Sequence, residues 1–378
     1  MDFDLSDEQR LVGDNVARLM RDKYGFESRK AYAAAALGFS EEMWRHYAEL
    51  GLLGAPFAEE DGGYGGGAVE IMLTQEAFGR ALALEPYFAT VVLAGSALRH
   101  GATAAERAEL IPEIASGELR LALAHAEPQS GWDPFDVKTT AKAGGDGFLL
   151  DGEKGLVLNG DSAHKLVVLA RVSGAQRDAD GLGLFLVDAG APGVTRRGYP
   201  TQDGRRAAEI SLAKAPAKAL GEPGRAGPVI ARVLEDAIAA LCAEAAGAMA
   251  EAVEMTTEYM KTRKQFGVAI GSFQALQHRA ADMVVALEQA RSMMYLAVMS
   301  TQDPDAASRA RAISAAKAQI GRSARFIGRE ATQLHGGIAM TYEYKLGHLF
   351  KRLTMIDMAY GDADHHLAKL GEGESLFD

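Results

Sequence analysis

Apolar positions change their period twice along the chain. In the first third they recur at helical spacing, with Leu11, Val12, Val16, Leu19 and Met20 on one stripe. Ser6 followed three residues later by Gln9 predicts a capping box ahead of that stripe. Ser40-Glu41-Glu42-Met43 repeats the start signal before Trp44, Tyr47 and Leu50. The Gly-rich run from Glu59 to Gly67 interrupts the pattern, and helices resume over Val69–Ala83 and near Ala104–Ser116.

In the middle third the runs shorten. Leu121-Ala122-Leu123-Ala124, Phe148-Leu149-Leu150, Leu156-Val157-Leu158, Leu166–Ala170 and Leu182–Val187 are separated by Gly144-Gly145-Asp146-Gly147, Asp151-Gly152 and Asn159-Gly160-Asp161. Short apolar runs with Gly/Asp turns at this spacing predict a small β-barrel or sandwich. Four of the 11 prolines, between Pro192 and Pro223, mark its exit.

The last third is helical again. Val229 to about Arg263, Phe273 to about Ser300, and Asp305 to about Leu334 are long segments joined by short Gly-containing breaks, the pattern of an antiparallel bundle. The expected fold is mainly α with a central β-domain: an N-terminal α-helical domain over 1–119, a middle β-barrel over 120–225, and a C-terminal four-helix bundle over 226–378.

Composition narrows the function classes. A chain of 378 residues, 48% hydrophobic and 24% charged, is ordinary globular protein with room for two or three domains. A formal net charge of −11 argues against nucleic acid and against a basic membrane-binding surface, though not against a phosphorylated cofactor held by a few local arginines. The single Cys242 excludes an internal disulfide and fits a reducing, cytoplasmic setting. The first ten residues are acidic, without the apolar core of a signal peptide, and no run is long enough for a transmembrane helix.

Two constellations in the last third carry candidate ligand chemistry. Arg263-Lys264-Gln265-Phe266-Gly267, with Ile270, Phe273 and Gln274, places a planar fork of donors at a helix end. Gly267 permits a tight turn, and Gln274 offers an amide to a ribose or adenine. The same residues also read as a basic helix end with its Gly cap. Gln333-Leu334-His335-Gly336-Gly337 allows close backbone approach to a ligand, or caps a helix. The nine histidines show no metal-ligand spacing, and the adjacent His365-His366 would diverge on a helix.

Together these runs resemble the acyl-CoA dehydrogenase family. The first is similar to its Arg-x-x-Phe-Gly-x-x-Ile-x-x-Phe-Gln motif. The second, followed by Lys351-Arg352 and Tyr360-Gly361-Asp362, is similar to its Gln-x-x-Gly-Gly signature, its Arg-containing helix and its Tyr-Glu-Gly-Thr turn. Ala126-Glu127-Pro128-Gln129-Ser130-Gly131-Trp132-Asp133 resembles the Thr-Glu-Pro-x-x-Gly-Ser-Asp loop. Lys154-Gly155-Leu156-Val157-Leu158-Asn159-Gly160 resembles the Lys-x-Trp-Ile-Thr-Asn-Gly strand. The resemblance spans almost the whole chain and implies the three-domain fold given above.

Its departures fall in one group. Gly361 stands where the family's base, a Glu, removes the substrate α-proton. Ala126, Trp132, Leu156 and Leu158 replace residues that touch the flavin ring. Asp362, one position on, is the nearest substitute base. Glu235 and Asp236 lie near the alternative base position at Ala237-Ile238, where they also read as helix N-terminal charges. By contrast, Arg263, Gln265, Phe266, Gln274, Gln333, Gly336 and Gly337, which the resemblance assigns to FAD bound by a neighbouring subunit, are retained.

The resemblance therefore implies FAD as cofactor, an acyl-CoA substrate, and α,β-dehydrogenation. It points to the small subunit of a heteromeric enzyme, the pimeloyl-CoA dehydrogenase small-subunit type. The implied partners are a homologous large subunit, or further copies of this chain, and an electron-transfer flavoprotein as acceptor. A flavin monooxygenase or nitroalkane-oxidase-like enzyme on the same fold, and a silent scaffold subunit, are the alternatives.

Overall fold

The structure is a computed structural model and describes residues 5–145 and 147–372. The acidic start Met1–Asp4 and Asp146 of the expected Gly144–Gly147 turn lie outside the described residues. The described chain is mostly helical and divides into two compact units. Among the described residues, one comprises 31–71 and 84–237, the other 5–30, 72–83 and 238–372.

The first unit holds the strands. Helix α3 (Glu41–Glu49) is capped by Ser40 as its spacing predicts, the hydroxyl accepting from the Met43 N–H. After it comes a π-helical segment, Phe88–Ala94, that leads into α5 (Gly95–Gly101). α6 (Ala104–Ala115) follows, with a complete capping box between Thr103 and Glu106.

A seven-stranded mixed sheet follows: β1 (Leu121–Ala124), β2 (Thr140–Gly144), β3 (Gly147–Leu158), β4 (Lys165–Arg171), β5 (Leu182–Asp188), β6 (Val194–Pro200) and β7 (Arg206–Leu220). β1 runs parallel to β4, while β3, β5 and β6 are antiparallel to β7. Leu150, Val157, Leu166, Val168, Phe185, Val187, Ile210 and Leu212 form its core.

Three features depart from the sequence expectation. Two separate strands were expected around Asp151-Gly152, but β3 is continuous and absorbs Gly152 as a register shift. The proline-rich exit is instead the two strands β6 and β7. The core-facing side of β7 carries Ala208, Ala215 and Ala217 beside Ile210 and Leu212, and the small alanine side chains gave little hydrophobic alternation. The expected barrel is not fully laddered, because β2 meets β4 at the single pair Thr140–Arg171. There the Arg171 guanidinium replaces the ladder, donating to the carbonyls of Phe135, Val137, Ser173, Gln176, Asp178 and Asp180.

The second unit is helical. α1 (Asp7–Lys23) begins with the predicted Ser6/Gln9 capping box, and α2 (Phe26–Ala33) follows, its first five residues in this unit. α4 (Ala68–Ala81) lies mostly in this unit, as does α7 (Ala226–Thr262) from Ile238 onward. The two helices cross at a pair of glycines: a Cβ on Gly79 would fall on the Glu244 carbonyl, and one on Gly247 on the Glu76 carbonyl. Only hydrogen at both positions lets the backbones come this close.

α8 (Gln274–Ser300) and α9 (Ala306–His335) follow, the latter capped by Asp305. The chain then forms α10 (Lys345–Met358) and α11 (Ala363–Gly371). α9 packs against α8, α10 and α11. The expected fourth bundle helix is thus two helices, split by the turn at Ala359–Asp362. Tyr360 and Gly361 there have φ of 57° and 103°, outside the helical region.

Candidate functional site

In the helical unit the structure brings the two retained motifs together. α7 ends at Thr262, and Arg263 donates its N–H to the Tyr259 carbonyl at 2.8 Å. Its own carbonyl accepts from Ile270 at 2.8 Å, which closes a hairpin of β8 (Lys264–Gln265) and β9 (Val268–Ala269). Phe266 (φ 55°) and Gly267 (φ 84°) form its two-residue turn, both left-handed as a type I′ turn requires.

A bulky residue at positive φ is uncommon and strained. Phe266 is also 91% exposed, its ring edge-to-face with Phe273 at a centroid distance of 6.2 Å. Arg263, Gln265 and Gln274, the first residue of α8, are exposed as well.

Gln333, Gly336 and Gly337 end α9 and are exposed, while His335 between them is buried. The His335 ring stacks on Tyr259, centroids 4.4 Å apart at 26°. Its Nδ1 lies 2.9 Å from the Ala331 carbonyl, so that nitrogen carries the proton. Burial pushes the imidazole's pKa down. His335 is therefore a packing residue that fixes Gln333 and the two glycines beside the end of α7. No atom lies within 4 Å of where a Cβ would stand on Gly336, Gly337 or Gly267, so all three face open space.

In the strand unit, the Ala126–Asp133 loop and the Lys154–Gly160 segment are joined by a contact the sequence reading missed. Lys154 Nζ donates to Glu127 Oε1 at 2.7 Å and to the His125 carbonyl at 3.1 Å, with both side chains buried. Glu127 also accepts from the Lys138 and Thr139 N–H groups at 2.8 and 3.0 Å and from Gln129 Nε2 at 2.8 Å. Burial raises the carboxyl's pKa, but the Lys154 charge and the hydrogen bonds from Lys154, Gln129 and Thr139 outweigh it and hold it at about 2. The available signal was the Glu-Pro of the Ala126–Asp133 loop together with a Lys at an inward-facing position of β3, which requires a buried anion.

This pair fixes the ring-side positions. Gly155 donates its N–H to the Ala126 carbonyl at 3.0 Å. Leu156 follows at φ 50°, where the β3–β7 register shifts, and stands 53% exposed. Ala126 and Leu158 are half-buried, and Trp132 is 45% exposed. None of Ala126, Leu156 or Leu158 offers a side-chain hydrogen-bonding group.

The remaining candidates concern the base. Gly361 is buried. Its carbonyl accepts from Lys317 Nζ at 2.7 Å, as does the Asp357 carbonyl at 2.7 Å. Burial pushes Lys317 down to about 8, with Cys242, Asp357 and Asp362 opposing and Arg325 reinforcing the shift. Asp362 caps α11, one carboxylate oxygen accepting the His365 N–H at 2.9 Å.

At the alternative position, one Asp236 oxygen accepts from Ser96 at 2.7 Å and lies 3.3 Å from Arg99 and 2.9 Å from His100, while the other lies 3.4 Å from Arg232. Glu235 lies 3.7 Å from Arg232. Arg352 of the α10 motif is buried and bidentate to Glu244, both N–O distances 2.7 Å. Among the described residues no helix is long and apolar enough to cross a membrane.

The chain matches known sequences along its length. Residues 6–118, 122–214 and 227–374 match the N-terminal, middle and C-terminal domains of acyl-CoA dehydrogenase. It is 28% identical over 373 residues to the probable acyl-CoA dehydrogenase YngJ of Bacillus subtilis (strain 168), covering 96% of this chain and 97% of that protein. The structure is similar to the Tcur3481-Tcur3483 steroid ACAD G363A variant, with a TM-score of 0.87, 31% identity and 97% coverage of both chains. It is also similar to PigA with FAD and proline, with a TM-score of 0.88, 26% identity and 98% coverage of both chains. The chain belongs to the acyl-CoA dehydrogenase family, whose cofactor is FAD.

Proposed function

We propose that this chain is the small subunit of a heteromeric, FAD-dependent acyl-CoA dehydrogenase, a heterotetramer in which it completes a partner's cofactor site and supplies no base of its own. The observation that carries this reading is the state of position 361. It is a glycine in a left-handed turn, and the adjacent Asp362 already caps a helix. A carboxylate engaged at a helix N-terminus is stabilised as the anion and held in place, a poor arrangement for accepting a substrate proton.

The exposed donors favour the same division. Arg263, Gln265, Phe266, Gln274, Gln333, Gly336 and Gly337 present a fork of N–H groups, amides and open backbone to a ligand held by another chain. They suit the adenine and pyrophosphate side of FAD. The ring-side residues Ala126, Leu156 and Leu158 do not suit an isoalloxazine, because a flavin nitrogen or carbonyl facing them loses about 1–3 kcal/mol of hydrogen bonding. FAD supplies the hydride acceptor for the substrate Cβ, and a carboxylate takes the Cα proton. That carboxylate belongs to the homologous large subunit, and an electron-transfer flavoprotein reoxidises the flavin. The similarity to the Tcur3481-Tcur3483 steroid ACAD supports a two-component assembly.

The test is to purify the chain alone and together with a homologous subunit that bears the Glu. The expected result is sub-stoichiometric FAD and no acyl-CoA-dependent flavin bleaching in the lone chain, with both restored in the complex. Full FAD content and full turnover in the lone chain would refute the reading.

A further inference from the structure

The Ala359–Asp362 turn is more than a dehydrogenase turn lacking its carboxylate. A Cβ built on Gly361 would fall on Cδ2 of His365, 3.0 Å from Nε2 of His366 and 3.1 Å from Cγ of His365. Cγ is the branch point of the ring and cannot move without a change of side-chain rotamer. The φ of 103° independently disfavours any side chain at this position.

Two side chains hold the backbone of the turn. Lys317 Nζ binds the carbonyls of Asp357 and Gly361, and His366 Nε2 lies 3.1 Å from the Tyr360 carbonyl. Since that contact needs a donor, Nε2 carries the His366 proton. Burial pushes the His366 pKa down to about 3, so the ring is neutral and keeps this role throughout the physiological range. Its plane is perpendicular to that of His365, centroids 5.2 Å apart. The backbone of His365 is fixed by the Asp362 cap.

We infer that His365 occupies the volume a side chain at position 361 would need, so that this chain's catalytic position is closed to a carboxylate by packing as well as by sequence. The meaning of that closure rests on the shared-site function proposed above. The packing relationship does not. Reintroducing Glu at 361 alone therefore fails to rebuild the family turn, because the carboxylate and the imidazole compete for one space.

The experiment is a double-mutant cycle on the full chain in the assembly in which it is isolated: Gly361→Ala, His365→Ala and both. Gly361→Ala is expected to lower the thermal midpoint by roughly 5 °C, combining backbone strain and the clash. Adding His365→Ala is expected to recover about half of that loss, leaving the strain from φ. If Gly361→Ala does not yield folded protein, rescue of soluble yield by His365→Ala is the same readout.

Imidazole NMR gives a second measure. Burial, reinforced by Lys369 and Lys317 and opposed by Asp362 and Glu372, holds the His365 pKa below its ordinary value. Gly361→Ala should expel the ring and return that pKa toward normal. Equal losses of midpoint with and without His365, or an unmoved His365 titration, would overturn the inference. The FAD content of the lone chain tests the shared-site reading separately, so the two can fail independently.

Discussion

Tyr259 and His335 stack 4.4 Å apart, a contact between the end of α7 and the end of α9. It places the exposed Arg263 hairpin, one turn beyond Tyr259, next to the exposed Gln333 and Gly336-Gly337. Neither motif contains Tyr259, yet the pairing of the motifs runs through it.

Tyr259→Ala should therefore loosen both segments. Loss of an aromatic pair together with part-buried area costs about 1–3 kcal/mol, and the thermal midpoint should fall by a few degrees. Tyr259→Phe retains the ring and should melt like the parent. If the shared-site function is correct, Tyr259→Ala also lowers FAD retention in the complex while Tyr259→Phe does not, as read by flavin absorbance after gel filtration.

The Glu127–Lys154 pair predicts an acid limit for the strand unit. The folded carboxyl has a pKa of about 2 against an ordinary value of 4.5. Because it is depressed on folding, its stabilisation is complete above the ordinary value and is lost as pH falls through the folded one. The contribution is on the order of 3 kcal/mol. Melting the parent and Glu127→Gln between pH 7 and pH 2 should show a large gap that closes across pH 4.5 to 2. A gap that stays constant with pH would mean that the side chain acts by shape alone.

Arg352 and Glu244 form a two-point buried pair, and breaking one partner leaves the other charge stranded. Arg352→Gln should cost about 3–5 kcal/mol. Arg352→Lys should recover little of it, since an ammonium cannot reproduce the planar fork. The check is a cycle with Glu244→Gln, in which the double variant melts above the sum of the two single losses.

How far the sequence disclosed these features depended on how local each one is. The Ser6–Gln9 box, the Ser40 start signal and β1 at Leu121–Ala124 are set by neighbours within a few residues, and the chain pattern located them. β7 was hidden because Ala208, Ala215 and Ala217 bury part of its core face with little hydrophobic contrast. Arg263, Phe266, Gln333 and Gly336 were recognisable as motifs, but their proximity through Tyr259–His335 was not. The Lys317 grip on Gly361 was equally invisible, since it joins the middle of α9 to a turn 44 residues later. Motif spacing reports what a loop can bind, while side chains distant in sequence decide where the loop stands.

Phe266 offers the sharpest separation of stability from assembly. In the lone chain its ring is almost wholly in water, and its φ of 55° favours glycine over any bulky residue. Phe266→Gly should relieve about 1 kcal/mol of backbone strain, so the isolated chain should melt at or slightly above the parent temperature. A residue that is costly in isolation is one whose gain comes from another surface. In the complex the same substitution should reduce FAD retention and weaken subunit association, because a solvent-exposed aromatic anchor that becomes buried contributes about 2 kcal/mol or more to an interface. Paired measurements of lone-chain melting and of complex dissociation by analytical ultracentrifugation decide the matter. If Phe266→Gly destabilises the lone chain and leaves the complex intact, Phe266 serves its own hairpin and the proposed partner contact at this position is wrong.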